Sequence, residues 1–99
     1  MTFLNIRFSE KAKTDLDWFR RYYGQAFPEG EKTASVQFRK AIRLIKQHWQ
    51  IGHPLPEYGL RELSITKTPF SIIYGAFNGE LIIVRVFDQR AQRPIDWAS

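Results

Sequence analysis

GLRELSITKTPFSIIYGAFNGELIIVRVFDQ, residues 59–89, decides the fold, because it reads as three short strands joined by two tight turns. Phe70 to Phe77 is rich in β-branched and aromatic residues, Asn78-Gly79 supplies a two-residue turn tolerant of positive φ, and Leu81 to Phe87 resumes the pattern. That combination is the strongest short-range hairpin signal. Ahead of it, Leu60 to Ile65 forms a third strand, and Thr66-Lys67-Thr68-Pro69 turns the chain because Pro69 fixes φ and cannot donate to a ladder. Strict alternation along the last strand puts Ile82, Val84 and Val86 on one face and Leu81, Ile83 and Phe87, with Arg85 among them, on the other. A strand apolar on both faces sits mid-sheet or awaits a cover. Gly75-Ala76, in mid-strand, marks a bulge or the close approach of a partner backbone.

Upstream, Leu4, Ile6 and Phe8 alternate with Phe3, Asn5 and Arg7, so Thr2 to Phe8 reads as a strand with one buried face. Ser9 is a good N-cap, with Glu10 in the first turn where negative charge suits the helix dipole. Ala12, Leu16, Phe19 and Tyr23 then form one helical stripe, and Gly24 is the expected stop. Pro28 and Gly30 place a loop at residues 25–30, and a second helix from about Glu31 to Gln50 carries Ala34, Phe38, Ala41, Ile45 and Trp49 on one face. Arg39, Lys40, Arg43 and Lys46 turn largely away from that face. Two prolines make Gly52 to Tyr58 a rigid loop, disfavouring helix and ladder alike.

The expected architecture is α+β: one domain over residues 1–99, ordered β-α-α-β-β-β, with a helical hairpin on one face of the sheet and a tail from about Arg90. Ninety-nine residues, 43% hydrophobic, suffice for a small core and leave little room for a deep active site. Cysteine is absent, and His48 and His53 are too few for a metal centre, so neither a metal nor a cofactor is expected. No apolar run approaches transmembrane length and no signal peptide opens the chain, which reads as soluble, cytoplasmic and free of the membrane. The net charge of +5 is uneven: residues 1–50 hold ten Lys and Arg against five Asp and Glu, and residues 51–99 hold five of each. The helices are basic and the meander is neutral.

Arg7-Phe8-Ser9 with Lys11-Ala12 and Asp15-Leu16, the loop Gly52-His53-Pro54, then Gly59-Leu60-Arg61-Glu62-Leu63, Pro69-Phe70 with Ile72-Ile73-Tyr74, and Ile83-Val84-Arg85-Val86 before Asp88-Gln89-Arg90 follow one another across nearly the whole chain. In that order and spacing they resemble the RelE/ParE superfamily of toxins from type II toxin–antitoxin pairs. The resemblance implies a toxin neutralised, in a hetero-oligomer, by a cognate antitoxin whose segment wraps the domain. It also implies one of two activities: RelE-like members cut mRNA on the ribosome through the 2′-hydroxyl, and ParE-like members bind and poison DNA gyrase without cutting nucleic acid.

The residues favour the second. Cleavage needs a base, a donor for the leaving oxygen and fixed cations for the phosphorane. The resemblance places a RelE-like arginine just before the apolar-apolar-Tyr step, where this chain has Ser71, and a histidine or tyrosine after the last strand, where it has Asp88. Were the chain a nuclease, Arg61, Lys67, Asp88 and Arg90 would carry the chemistry, yet Glu62, Glu80 and Asp88 offset the positive charge of this half. The favoured reading is a ParE-like gyrase inhibitor with no catalytic residue; an inactive homologue serving complex assembly or operon regulation is a third. Arg39, Arg43 and Lys46 are the expected target contacts, and Leu81, Ile83, Arg85, Phe87, Arg93 and Trp97 the expected antitoxin contacts. Arg85 alternatively pairs with Asp88 or Glu62, and Arg61 alternatively holds the sheet to the tail.

Overall fold

In a computed structural model that describes residues 5–90, the chain builds one five-stranded sheet with two helices on one of its faces. The elements are β1 (Ile6–Phe8), α1 (Glu10–Arg21), α2 (Glu31–Gln47), β2 (His53–Leu55), β3 (Leu60–Ser64), β4 (Phe70–Phe77) and β5 (Glu80–Asp88). Their order across the sheet is β1-β5-β4-β3-β2; β1 runs parallel to β5 and the other neighbours are antiparallel. The expected α+β architecture is therefore present, in a mixed sheet with one strand more than expected. Of the predicted first strand, residues 2–4 lie outside the described residues, as do Arg93 and Trp97.

Local chemistry accounts for the boundaries. The Ser9 hydroxyl accepts the Ala12 N–H at 3.0 Å, which starts α1. The helix runs to Arg21 and continues through a π-type turn, Tyr22–Ala26, past Gly24, where the Phe27 N–H bonds the Tyr22 carbonyl at 3.0 Å. Asn78 and Gly79 take φ of 50° and 79°, the left-handed pair that a tight hairpin requires. Residues 53–55 correct the reading of a loop: they pair with β3, Pro54 opposite Arg61. A proline without an N–H is tolerated there because β2 is the edge of the sheet.

The core lies between helices and sheet. Ala12, Phe19, Tyr23, Ala34, Ala41 and Ile45 meet Ile65, Phe70, Ile72, Tyr74, Leu81, Ile83 and Val86. Phe19 packs edge-on against Phe70 at 4.9 Å between ring centroids and lies 5.6 Å from Phe38.

The register of β5 corrects the assignment of its faces. Tyr74 pairs with Ile83 but Ile73 pairs with Arg85, so Val84 is an extra residue, a β-bulge. Alternation shifts parity there. Leu81 and Ile83 face the helices before the bulge and Val86 after it, all buried in the core, so Leu81 and Ile83 offer a partner no surface. Phe87 points to the opposite face, in a second cluster with Leu60 and Ile73. Gly75 lies outside the bulge, which falls between Ile73 and Tyr74 in the register of β4. A Cβ there would meet the Phe77 ring at 2.7 Å and Leu60 Cδ2 at 2.9 Å, so the glycine makes room for its own neighbours.

Candidate functional site

Of the four candidates, Arg61 stands apart from Lys67, Asp88 and Arg90. Arg61 pairs across β3–β4 with Tyr74, and Asp88 pairs across β4–β5 with Phe70. Four residues of β4 separate those positions, roughly 13 Å at ~3.3 Å per residue. Lys67 stands exposed in the β3–β4 turn with φ of 65°, at the Asp88 end of the sheet.

Arg61 is a clamp. Its Nη1 donates to the carbonyls of Gln50 at 3.0 Å and Gly52 at 2.9 Å, and its guanidinium lies 5.3 Å from the centroid of the Trp49 ring. The buried Tyr74 hydroxyl completes the clamp, donating to the Trp49 carbonyl at 2.6 Å and accepting the Gly52 N–H at 2.8 Å. Burial pushes the Tyr74 phenol above its ordinary pKa. Together the two side chains fix the turn Trp49–Ile51, through which α2 passes into β2. Nothing in the pattern of β4 singled out Tyr74 for this work, although a hydroxyl in a buried strand must find a partner.

At the far end, Arg90 bonds Asp88 through Nε at 2.9 Å and Nη2 at 2.7 Å, reaches the Tyr22 hydroxyl at 3.2 Å and lies over the Tyr22 ring. The hydrogen bond from Arg90 holds the Asp88 carboxyl below its ordinary range. A carboxylate with lowered proton affinity is a poor base for a 2′-hydroxyl. Ser71, where the resemblance would place a catalytic arginine, is wholly buried, and its Oγ accepts from Gln89 Nε2 at 2.6 Å.

Arg85 is paired, with neither Asp88 nor Glu62 but with Asp15 of α1: Nε to Oδ2 at 2.7 Å and Nη2 to Oδ1 at 3.0 Å, the side chains 17% and 14% exposed. The same carboxylate accepts the Val86 N–H at 2.9 Å, and the Ser9 hydroxyl donates to the Val84 carbonyl at 2.7 Å. The start of α1 thus closes the edge of β5 beyond the end of β1. The sequence reading missed Asp15 because it lies off the apolar stripe of α1.

The charges of α2 are different. Arg39, Arg43 and Lys46 follow at helical spacing along one ridge, the arginines exposed and Lys46 partly so. Arg39 Nη1 reaches the Ser35 hydroxyl at 3.2 Å within the same helix. Between the helices lies a groove of about 330 Å³, with Leu16, Phe19, Tyr23, Ala34 and Phe38 inside and Arg20, Glu31 and Arg39 among its lining. The sequence reading assigned its apolar residues to the core. Its one available signal was small Ala34 and Ser35 at the start of α2, which leave space beside the aromatics of α1. Among the described residues there is no group of three or more His, Asp or Glu able to hold a metal, and no helix is long and apolar enough to cross a membrane.

A family model described as the ParE toxin of the type II toxin-antitoxin system, parDE, matches residues 6–93. No protein of curated function matches the sequence. Among solved structures, the chromosomal ParDE TA system from P. aeruginosa superposes with a TM-score of 0.70 at 24% identity, over 87% of this chain and 96% of that one. YafQ from E. coli strain BL21(DE3) superposes with a TM-score of 0.58 at 14% identity, over 87% of this chain and 93% of that one. At these identities both likenesses speak for the fold.

Proposed function

The chain belongs to the ParE toxin family of type II toxin–antitoxin systems, and from that premise we propose that it is a toxin that acts by binding DNA gyrase, without cutting RNA, and that a cognate antitoxin neutralises it. One observation carries the choice against cleavage: the arginines of the sheet and its last turn all have internal partners. Arg7 lies 3.7 Å from Glu80, Arg61 bonds two carbonyls, Arg85 bonds Asp15 and Arg90 bonds Asp88. A phosphorane needs cations with hydrogen bonds to give, held around one point. A protein target needs neither. The exposed ridge of Arg39, Arg43 and Lys46 supports the proposed target contact, since basic side chains open to solvent can steer an acidic partner. The apolar groove beside it supports a seat for an amphipathic antitoxin segment.

Inducing the chain in bacteria with pulse labelling of DNA, RNA and protein tests the proposal. DNA synthesis is expected to fail first, and Arg43→Glu/Lys46→Glu, which spares the Arg39 that lines the groove, is expected to abolish toxicity while antitoxin binding persists. Translation failing first, with mRNA cut at ribosome-occupied codons, would refute it.

A further inference from the structure

One flank of α2 borders the groove, and the opposite flank borders β3. At ~100° per residue Leu44 lies about 140° around the helix from Arg39 of the groove and about 40° from Lys40. Leu44 is 40% exposed, and Ile51, in the turn after the helix, is 45% exposed. A lone exposed leucine is ordinary. This one lines a cleft of about 120 Å³ between α2 and β3, where Ala41 is buried and Leu63 half-buried, and where Lys40, Ser64 and Thr66 stand exposed. The cleft therefore has an apolar interior and a polar, cationic mouth.

The charge around the cleft has one sign. Residues 32–56 contain five Lys or Arg and no Asp or Glu, and no acidic side chain lines the cleft. Arg43 stands exposed one residue before Leu44. Such a surface attracts a partner that brings carboxylates. A second copy of the chain, paired symmetrically, would set these cations against their own kind. Nucleic acid would satisfy the cations but not the interior, because no aromatic ring lines the cleft for a base to stack on. An apolar interior inside a charged rim is the layout of a protein contact.

We infer that this cleft is the apolar centre of the target contact. An acidic segment of the target protein lies along α2, places an apolar side chain against Leu44, Ala41 and Leu63, and pairs with Lys40 and Arg43. The inference rests on the proposal that α2 meets the target, and moves the centre of that contact from the ridge to the flank beside β3.

Binding of purified toxin variants to purified DNA gyrase, followed by biolayer interferometry at two salt concentrations, tests it, with each variant's Tm read beside the parent's. Burying what remains exposed of Leu44 is worth about three- to tenfold in affinity, so Leu44→Ala should bind more weakly by that factor and Leu44→Met like the parent. Thr66→Glu, a change at the exposed mouth that leaves the core untouched, should weaken binding too, and most at low salt. If Arg43→Glu/Lys46→Glu loses gyrase while Leu44→Ala and Thr66→Glu bind like the parent, the target reading stands and this inference falls. If the parent itself does not bind gyrase, the target reading falls and takes the inference with it. RNA bound through this face and indifferent to Leu44→Ala would overturn the inference as well.

Discussion

Removing the Asp15 carboxylate by Asp15→Ala should cost this domain about 3 kcal/mol. Two losses add. The Arg85 guanidinium, 17% exposed, loses a two-point ion pair, and the Val86 N–H loses its acceptor. Breaking a buried pair from one side costs ~3–5 kcal/mol, and a buried donor without its acceptor ~1–3 kcal/mol. Residual exposure lets water reach the arginine, and the two losses share one carboxylate, so the cost is about 3 kcal/mol, below the ~4–8 kcal/mol of the full sum. For a domain of this size ~1 kcal/mol moves Tm by about 4–8 °C, which places the variant about 12–24 °C below the parent. Arg85→Met leaves Asp15 its bond to Val86 and should cost less. In Asp15→Ala/Arg85→Met the half-buried cation leaves together with its carboxylate, so the double variant should be more stable than Asp15→Ala alone. Thermal and urea unfolding of the four proteins supplies the cycle. A loss below ~1 kcal/mol for Asp15→Ala, or a double variant as unstable as the sum of the singles, would refute the view that the pair closes the edge of β5.

Tyr74→Phe removes one acceptor and one donor from the turn after α2, and should cost about 2–3 kcal/mol by chemical unfolding while leaving β3–β5 intact by hydrogen exchange; a loss under ~0.5 kcal/mol would show that Arg61 holds the turn alone. At Gly52 an added Cβ would fall 2.6 Å from the Tyr74 hydroxyl and 3.0 Å from the Glu62 carbonyl, so Gly52→Ala should cost ~1–3 kcal/mol, and a neutral result would mean that the turn is loose. The Asp88 carboxyl has a folded pKa below its ordinary value of 3.8, so its contribution is complete above that value and is lost as pH falls through the folded pKa. The Tm difference between the parent and Asp88→Asn should therefore narrow from pH 7 towards pH 3, and a difference independent of pH would refute it. Because Arg90 stands in water, salt should narrow it too.

Much of the fold was legible because local chemistry and burial agreed. Asn78-Gly79, the Ser9 cap and the stripe Ala12, Phe19 and Tyr23 each carry a signal within a few residues, and each sits where that signal puts it. Apart from Gly24, which a π-type turn runs through, the failures are non-local. Pro54 reads as a breaker until β3 lies beside it and makes it an edge residue. The parallel pairing of β1 with β5 joins residues about 75 apart, which periodicity cannot see. Arg61 carries no mark that distinguishes a clamp on two carbonyls from a phosphate contact, because its partners lie in the loop between α2 and β2.

The bulge at Val84 shows how far such a miss reaches into function. Under strict alternation Arg85 falls in line with Leu81, Ile83 and Phe87, and an arginine inside an apolar face invites a functional reading. One extra residue changes this. Val86 turns into the core in its stead, and Arg85 meets Asp15 at the edge of β5. The arginine in Ile83-Val84-Arg85-Val86 is thus explained by the need to close a strand edge that β1 is too short to cover. A cation engaged at two points by one carboxylate must break that pair to turn the same donors to an incoming phosphate, and freeing it would cost the fold its edge. The exposed charges of α2 carry no such cost. Arg39 and Arg43 can change partner without disturbing the core, which supports the proposal that a charged target contact lies on the helices, where it can be gained and released while the sheet stays intact.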